Sequence, residues 1–284
     1  MKLLRTLTVG IVTLGACLVG ITPANAAVVT DPAAKAAAPG ADFAGIAALS
    51  NCSASLVRYS DSQPADKALV LTNGHCYEGG FLNPGVVLVN RASSRSITLL
   101  RPNSSNAGTV RASRIVYGTM TKTDMLVYEV NESYASIQSR LGVAPLTLAR
   151  QAPAAGAGMA VVSGYWKRIY TCSVQSTIYQ LREGNWRWSS SIKYRQPGCE
   201  TIGGTSGSPI VSTSNGEVIG VNNTGNEDGQ RCTVNNPCEV DAAGNITVDQ
   251  GAAYGQQTWW IYTCLTNRKL DLAKSGCQLA RPAR

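Results

Sequence analysis

The sequence contains one histidine, His75, and no two of its cysteines form a Cys-x-x-Cys pair. Protein zinc sites are built from cysteine and histidine side chains, commonly in closely spaced pairs. The sequence therefore predicts no metal site, and we expect no cofactor. Runs of basic residues are also missing, since the 25 Lys and Arg residues are scattered along the chain among 17 Asp and Glu. Without a clustered basic patch we expect no nucleic-acid partner.

Long apolar runs are absent as well, which bears on the start of the chain. The apolar segment 7–21 is short for a membrane span of ~20 residues. It follows Lys2 and Arg5 and leads to Ala24-Asn25-Ala26, the small-x-small pattern of a signal-peptidase site. These features predict a signal peptide over residues 1–26 and a secreted, extracellular, bacterial protein without stable membrane insertion. A membrane anchor and lipidation of Cys17 are the alternatives.

Cysteine, by contrast, is plentiful: the chain has nine, and Cys17 would leave with the signal peptide. An even number in an exported chain predicts disulfides. The eight candidates are Cys52, Cys76, Cys172, Cys199, Cys232, Cys238, Cys264 and Cys277. The sequence does not fix their connectivity. Nearest-neighbour pairing would give Cys52–Cys76, Cys172–Cys199, Cys232–Cys238 and Cys264–Cys277.

Residues 27–46 are rich in alanine and proline and are interpreted as a leader or short pro-segment. From residue 47 onward, short apolar runs alternate with polar turns, a pattern typical of an all-β barrel or sandwich. The predicted strands cover 54–57, 69–72, 86–89, 97–100, 114–117, 125–130, 159–164, 170–175, 192–194, 209–212 and 218–221. We expect Trp166, Trp186 and Trp188 to pack in the core or between strands rather than to bind substrate.

Three residues at the ends of these runs carry the candidate chemistry. Ser206 lies in Gly203-Gly204-Thr205-Ser206-Gly207-Ser208-Pro209, where glycines allow a tight loop whose amide N–H groups can stabilise an oxyanion. His75 follows the apolar run 69–71, and Asp124 precedes the run 125–127. A serine nucleophile needs a neutral imidazole as base and an acid that orients it. A surface turn of glycine and serine is the alternative interpretation of the Ser206 loop.

The motifs around these residues resemble those of trypsin-like and chymotrypsin-like serine proteases. Thr72-Asn73-Gly74-His75-Cys76 is similar to the family's Thr-Ala-Ala-His-Cys, and Asp124 with the apolar residues after it resembles Asp-Ile-Ala-Leu. The serine loop resembles Gly-Asp-Ser-Gly-Gly-Pro, and more closely Gly-Asn-Ser-Gly-Ser-Pro of the bacterial glutamyl endopeptidases. The likeness covers roughly residues 48–265.

This resemblance implies an all-β fold of two antiparallel six-stranded β-barrels with a short C-terminal helix, which Thr258 could cap. The first barrel would span 47–135 and contain His75 and Asp124. A linker and the second barrel, with Ser206 and the terminal helix, would span 136–265. Residues 266–284 would form a disulfide-tethered tail.

The resemblance also implies residue roles for a serine endopeptidase acting on protein or peptide substrates. Ser206 would be the nucleophile, His75 the general base and Asp124 the residue that orients it, and the N–H groups of Gly204 and Ser206 would form the oxyanion hole. The bridge Cys52–Cys76 would match the one behind the family's catalytic histidine. We expect a monomer.

Three departures from the family pattern concern activation and specificity. Thr205 replaces the aspartate that pairs with a new N-terminus in trypsin-like zymogens, and the pocket histidine of glutamyl endopeptidases has no counterpart. Glu200 falls where trypsin-like enzymes hold the acid at the pocket base, next to Thr201. A basic substrate residue before the scissile bond is one interpretation, and a solvated loop acid is the other. Asn223, Thr224 and Gly225 would form the pocket wall.

Two other functions compete with proteolysis. A secreted protease-like binding or adhesion domain without significant catalytic activity would share the fold. An esterase with the same triad on an α/β-hydrolase fold would need long amphipathic helices and the order Ser, Asp, His. This chain has the order His, Asp, Ser, so the sequence favours the endopeptidase.

Overall fold

The structure, a computed structural model, describes residues 41–195 and 197–283. The predicted signal peptide and leader residues 27–40 lie outside the described residues. The strands of the first half are β1 Ile46–Ala48, β2 Ser53–Arg58, β3 Lys67–Thr72, β4 Val87–Ala92, β5 Ser96–Leu100, β6 Asn106–Thr119, β7 Met125–Ser133 and β8 Leu146–Thr147. Two helical segments accompany them, a 3₁₀ turn at Gly74–Cys76 and α1 at Tyr134–Leu141.

The second half is again built almost entirely from strands. These are β9 Gly158–Ser163, β10 Arg168–Glu183, β11 Trp186–Arg195, β12 Pro209–Ser212, β13 Val218–Gly225, β14 Cys238–Val240, β15 Ile246–Thr247, β16 Ala252–Gln257, β17 Leu265–Thr266 and β18 Lys269–Leu270. One short helix, α2 at Trp260–Thr263, follows β16.

The strands of the first half close into a barrel of six. The ring runs β1-β5-β6-β7-β3-β2 and closes because β2 pairs with β1, every pairing being antiparallel. β4 pairs with β6 outside the ring, and β8 joins β2 in a parallel pairing of two residues. Apolar side chains that alternate along the strands fill the interior, among them Leu56, Val70, Leu99, Ile115 and Tyr128.

The second half closes in the same way, in the order β11-β16-β13-β12-β9-β10, with β10 pairing back onto β11. Its interior holds Met159, Val161, Tyr170, Ile192 and Ile210. β14 and β15 extend the sheet beyond β10. The predicted chymotrypsin-like double barrel is thus confirmed.

The C-terminal helix is shorter than the segment 258–265 suggested. α2 has four residues, and Thr258 does not cap it, contrary to the prediction. The Thr258 hydroxyl instead donates to the Val218 carbonyl at 2.7 Å, because the chain at Thr258 still runs beside β13. The bridge Cys264–Cys277 joins the end of α2 to the tail.

The other disulfides lie within the barrels. The structure joins Cys52 to Cys76, Cys172 to Cys199 and Cys232 to Cys238. Together with the tail bridge these are the pairs that nearest-neighbour matching gives.

Loops from both barrels meet where the candidate residues lie. The Ser53 N–H donates to the Ser206 carbonyl at 2.8 Å, and the Gly207 N–H donates to the Asn73 side-chain oxygen at 2.6 Å. Gly207 has φ of +79°, and a Cβ there would lie 2.1 Å from the Ser53 carbonyl oxygen. Only glycine therefore permits this close contact between the barrels.

Candidate active site

His75 is positioned by the end of a buried strand and by a disulfide. β3 is apolar from Ala68 to Leu71 and leads directly into the 3₁₀ turn that contains His75. The next residue, Cys76, is bonded to Cys52. The imidazole ring also meets Phe81 edge to face, with 5.7 Å between ring centroids. The histidine is thus held from its backbone and from one face of its ring.

Asp124 makes two contacts with His75 from the start of β7. Its Oδ1 accepts the His75 backbone N–H at 3.0 Å, and its Oδ2 lies 2.8 Å from Nδ1 of the ring. The Asn73 amide donates to the Asp124 carbonyl at 2.9 Å. Asp124 is 0% exposed, so its carboxylate depends on these partners instead of water.

The environment of His75 raises its pKa above the ordinary value. Desolvation, the largest single effect, lowers the pKa. The charge of Asp124, its hydrogen bond and the charge of Glu183 act in the opposite direction and together outweigh desolvation. Asp124 therefore stabilises the protonated ring, and a base of this kind holds an abstracted proton well.

Ser206 lines the same cavity as His75 and Asp124, a space of about 350 Å³. Its hydroxyl donates to the Asn223 carbonyl at 3.2 Å rather than to His75. In proteases without substrate, the bond from nucleophile to base is often long or poorly aligned and tightens only on binding. The serine and its candidate base thus face one cleft from opposite barrels.

The loop before Ser206 is a turn that requires glycine. The Thr205 N–H donates to the Ile202 carbonyl at 3.0 Å, and Gly204, the third residue of the turn, has φ of +88°. Gly203 does not share a positive φ, so the turn is of type II, which favours glycine at its third position.

The indole of Trp166 fixes the orientation of the peptide between Gly203 and Gly204. Its Nε1–H donates to the Gly203 carbonyl at 2.8 Å. A trans peptide is planar, with its C=O and N–H pointing in opposite directions, so the Gly204 N–H points away from Trp166. Among the described residues, neither the Gly204 N–H nor the Ser206 N–H has an acceptor. Two unpaired amide donors therefore lie in the Ser206 loop.

Thr205 is held by a network of uncharged groups. Its hydroxyl donates to the Ile202 carbonyl at 2.6 Å and accepts from the Asn222 amide at 3.1 Å. The Asn222 side-chain oxygen in turn accepts a hydrogen bond from the Tyr194 hydroxyl. Thr205 is 2% exposed, so the residue beside Ser206 is buried and is held by hydrogen bonds between neutral groups.

The predicted pocket residues Glu200, Thr201, Asn223, Thr224 and Gly225 all line the cavity. The Glu200 carboxylate folds back onto its own loop, where it accepts the Gly198 N–H at 2.9 Å.

Sequence reasoning missed another acid in the cavity, Glu183, and an aromatic neighbour of His75, Phe81. Glu183 precedes Gly184-Asn185, a dipeptide typical of hairpin turns, where acids are ordinarily solvated. Nothing in the sequence indicates that this turn is folded into the cavity.

The three tryptophans differ from one another in their surroundings. Trp188 is buried and donates to the Met120 carbonyl at 2.9 Å, as expected for a core residue. Trp186 is partly buried, contacts Phe81 and lines the cavity. The core prediction is wrong for Trp166, which is 49% exposed because it lies in the turn between β9 and β10.

Among the described residues, one group of three side chains has metal-ligating atoms close together: Cys52, His75 and Cys76. The two cysteines are joined to each other, so neither offers the thiolate that a metal would need. Across the same residues no helix has the length and apolar character needed to cross a membrane.

Comparison with known proteins finds similarity in both sequence and structure. The family model described as a trypsin-like peptidase domain matches residues 52–221. No curated protein matches the chain. The active form of the Rv3671c protease from M. tuberculosis is 16% identical, with 88% of this chain and 89% of that chain covered and a TM-score of 0.49. The MamO protease domain from Magnetospirillum magneticum is 12% identical, with 79% and 97% covered and a TM-score of 0.47.

Proposed function

The chain belongs to the trypsin-like peptidase family, and we propose that it is a secreted serine endopeptidase acting through an acyl-enzyme. The observation that carries the proposal is the shared cavity, in which the His75–Asp124 pair faces Ser206 and its loop of unpaired amides. Family membership makes peptides or proteins the substrates.

In the proposed reaction, His75 takes the proton from the Ser206 hydroxyl as the oxygen attacks the peptide carbonyl. Asp124 holds the ring through Nδ1 and stabilises its cation, an effect consistent with the raised pKa of His75. His75 then gives the proton to the leaving amine. Water, activated by the same base, cleaves the acyl-enzyme and restores the serine.

The oxyanion of each tetrahedral intermediate would bind to the N–H groups of Gly204 and Ser206. Such donors are worth most when they are fixed before the reaction, because no reorganisation is then needed. The type II turn and the Trp166 bond to the Gly203 carbonyl supply that rigidity.

Activity would not require a defined N-terminus. In a trypsin-like zymogen the new N-terminal ammonium pairs with the aspartate beside the serine, but Thr205 carries no charge. A buried ammonium without a partner is strongly disfavoured. The Thr205–Asn222–Tyr194 network holds the loop without one.

The protein would be secreted to an oxidising, extracellular environment and would act there as a monomer. The signal-like segment 1–26 and four disulfides support secretion. The binding or adhesion domain is less well supported, because binding alone does not need a partly buried His75–Asp124 pair that faces Ser206.

The test is casein hydrolysis by the secreted protein, with and without a fluorophosphonate inhibitor. We expect hydrolysis that the inhibitor abolishes, and a loss on the order of 10⁴-fold or more in Ser206→Ala. A folded protein that neither cleaves casein nor reacts with the inhibitor would favour the binding domain.

A further inference from the structure

The cavity contains a buried acid that its surroundings leave only partly paired. Glu183 is 5% exposed and lines the cavity beside the residues already described. One carboxylate oxygen, Oε1, accepts the Asn235 N–H at 2.8 Å. The other, Oε2, is buried without a hydrogen-bond partner among the described residues. A buried carboxylate oxygen of this kind is costly unless a donor reaches it.

Another buried charged residue, Lys193, has different surroundings. Lys193, almost as deeply buried, forms ion pairs with both Glu239 and Asp249. No such partner exists for Glu183 among the described residues, where no lysine or arginine lies within ion-pair distance. Unlike Lys193, Glu183 is therefore buried without an oppositely charged side chain beside it among the described residues.

The charge of the cavity wall points to the chemistry of the missing partner. Four acidic residues line it, Asp124, Glu183, Glu200 and Glu227, and no lysine or arginine does. The chain as a whole has a formal net charge of +8, so the acidic wall of this cavity differs in sign from the rest of the molecule. The wall also includes Asn223, whose buried side-chain amide has no partner either among the described residues.

The fold holds Glu183 in place from two sides. Glu183 pairs with Trp186 across the two-residue turn of the β10–β11 hairpin. The Cys232–Cys238 loop closes over this turn, since the Gly184 N–H donates to the Cys232 carbonyl at 2.8 Å and Asn235 binds the carboxylate. Desolvation by burial raises the pKa of Glu183, and the hydrogen bond from the Asn235 N–H opposes this effect only in part. The acid is thus fixed, not a mobile surface group.

We propose that Glu183 is the specificity-determining residue of the cavity and receives the cationic side chain, lysine or arginine, of a peptide substrate. Glu183 and the predicted pocket wall Asn223–Gly225 line the same cavity as Ser206, so the proposal assigns that side chain to one of the two residues preceding the scissile bond. The inference rests on the proposed proteolysis. It differs from one of the two sequence-based interpretations of Glu200, which gave Glu200 this role. Both acids accept one backbone N–H, but Glu183 is buried whereas Glu200 is only half-buried and keeps access to solvent.

The kinetic test uses fluorogenic peptides that differ at one of those two positions, lysine or arginine against methionine or glutamine. We expect the wild-type protein to prefer the cation in kcat/KM, and Glu183→Gln to reduce that preference by at least about tenfold. The amide oxygen of the introduced glutamine still accepts the Asn235 N–H, so the fold is retained. Glu217→Gln, which removes an acid outside the cavity, is the matched control and should keep the preference.

Titration with a fluorophosphonate separates the two proposals. A protein that is labelled and cleaves peptides without cation preference, or whose preference survives Glu183→Gln or is lost only in Glu200→Gln, overturns the role of Glu183 and leaves proteolysis intact. Absence of both labelling and cleavage instead contradicts the proposed function.

A binding measurement needs no catalysis. Butylguanidine should bind the wild-type protein and the Glu217→Gln control, and should bind Glu183→Gln at least about tenfold more weakly, whereas neutral butyramide should not distinguish them. Equal affinity of butylguanidine for all three proteins would refute the inference.

Discussion

The two barrels border one cavity but present different surfaces to it. On the side of the first barrel, both carboxylate oxygens of Asp124 accept hydrogen bonds from His75, and Asn73 binds the Asp124 carbonyl. On the side of the second barrel, Glu183 Oε2, the Asn223 amide and the backbone N–H groups of Gly204 and Ser206 have no partner among the described residues. We infer that the groups which move a proton are paired within the protein, and that the unpaired groups await the substrate.

Removing the charge of Asp124 disrupts its hydrogen bonds with His75 on the first-barrel side of the cavity, and we expect this change to have the largest effect on activity. Asp124→Asn is expected to lower kcat by about 10⁴-fold near neutral pH, since the ring loses the partner that sets its tautomer and stabilises its cation. Asp61→Asn, in an exposed loop of the same barrel, is the control and should leave kcat unchanged.

The same variant predicts a shift in the pH profile of kcat/KM. His75 must be neutral to act as base, so activity falls as pH drops through its raised pKa. Without the Asp124 charge and hydrogen bond that pKa decreases, and the acidic limb of the residual activity should move to lower pH. An unchanged limb, or a shift to higher pH, would contradict the assignment of Asp124.

The neutral network behind the serine loop offers a second, smaller perturbation. Thr205→Val keeps the shape of the side chain but leaves the Asn222 amide buried without its acceptor. We expect the free energy of unfolding to decrease by about 1–3 kcal/mol, with a reduced kcat. Thr205→Ser retains the hydroxyl and should recover most of both. Urea unfolding followed by peptide assays measures the two effects, and equal behaviour of the two variants would show that the hydroxyl is unimportant.

Trp166→Phe removes the hydrogen bond from Trp166 to the Gly203 carbonyl, on the second-barrel side of the cavity. The Gly203 carbonyl loses its donor, so the peptide that orients the Gly204 N–H is free to rotate. We expect kcat to decrease by up to about tenfold with little change in KM, because the oxyanion forms only during the reaction. Tyr165→Phe, which keeps the ring packed edge to face on Trp166, is the matched control. A change confined to KM would instead place Trp166 in substrate binding.

Varying the start of the chain should have the smallest effect. Proteins beginning at Ala27, Pro39 and Phe43 are expected to turn over casein at similar rates, because the Thr205 network needs no N-terminal ammonium. Activity that appeared only after one specific cleavage, and was lost when the new amine was blocked, would contradict this expectation.

The sequence predicts the residues on the first-barrel side of the cavity better than those on the second-barrel side. Local signals mark His75, Asp124 and Ser206, since each lies beside an apolar strand in a motif of several residues. The double barrel could be predicted because the strand pattern is all-β and the order of the motifs resembles a family with that fold. Glu183 and Trp166 carry no such signal, because their positions depend on the course of a hairpin and a loop in three dimensions. At Thr258 a local signal is present but misleading. Threonine is a good capping residue, yet its hydroxyl donates to the Val218 carbonyl of a neighbouring strand instead of capping α2.

We propose that Ser206 is the reactive serine and that His75 and Asp124 of the first barrel activate it across the cavity. Ser208, two residues further on, offers the natural comparison, because it is buried and its hydroxyl has no partner among the described residues. Mass mapping of the fluorophosphonate adduct decides between them. We expect a single adduct on Ser206, retained in Ser208→Ala and absent from Ser206→Ala and from the denatured protein. An adduct on Ser208 that persists in Ser206→Ala would contradict it.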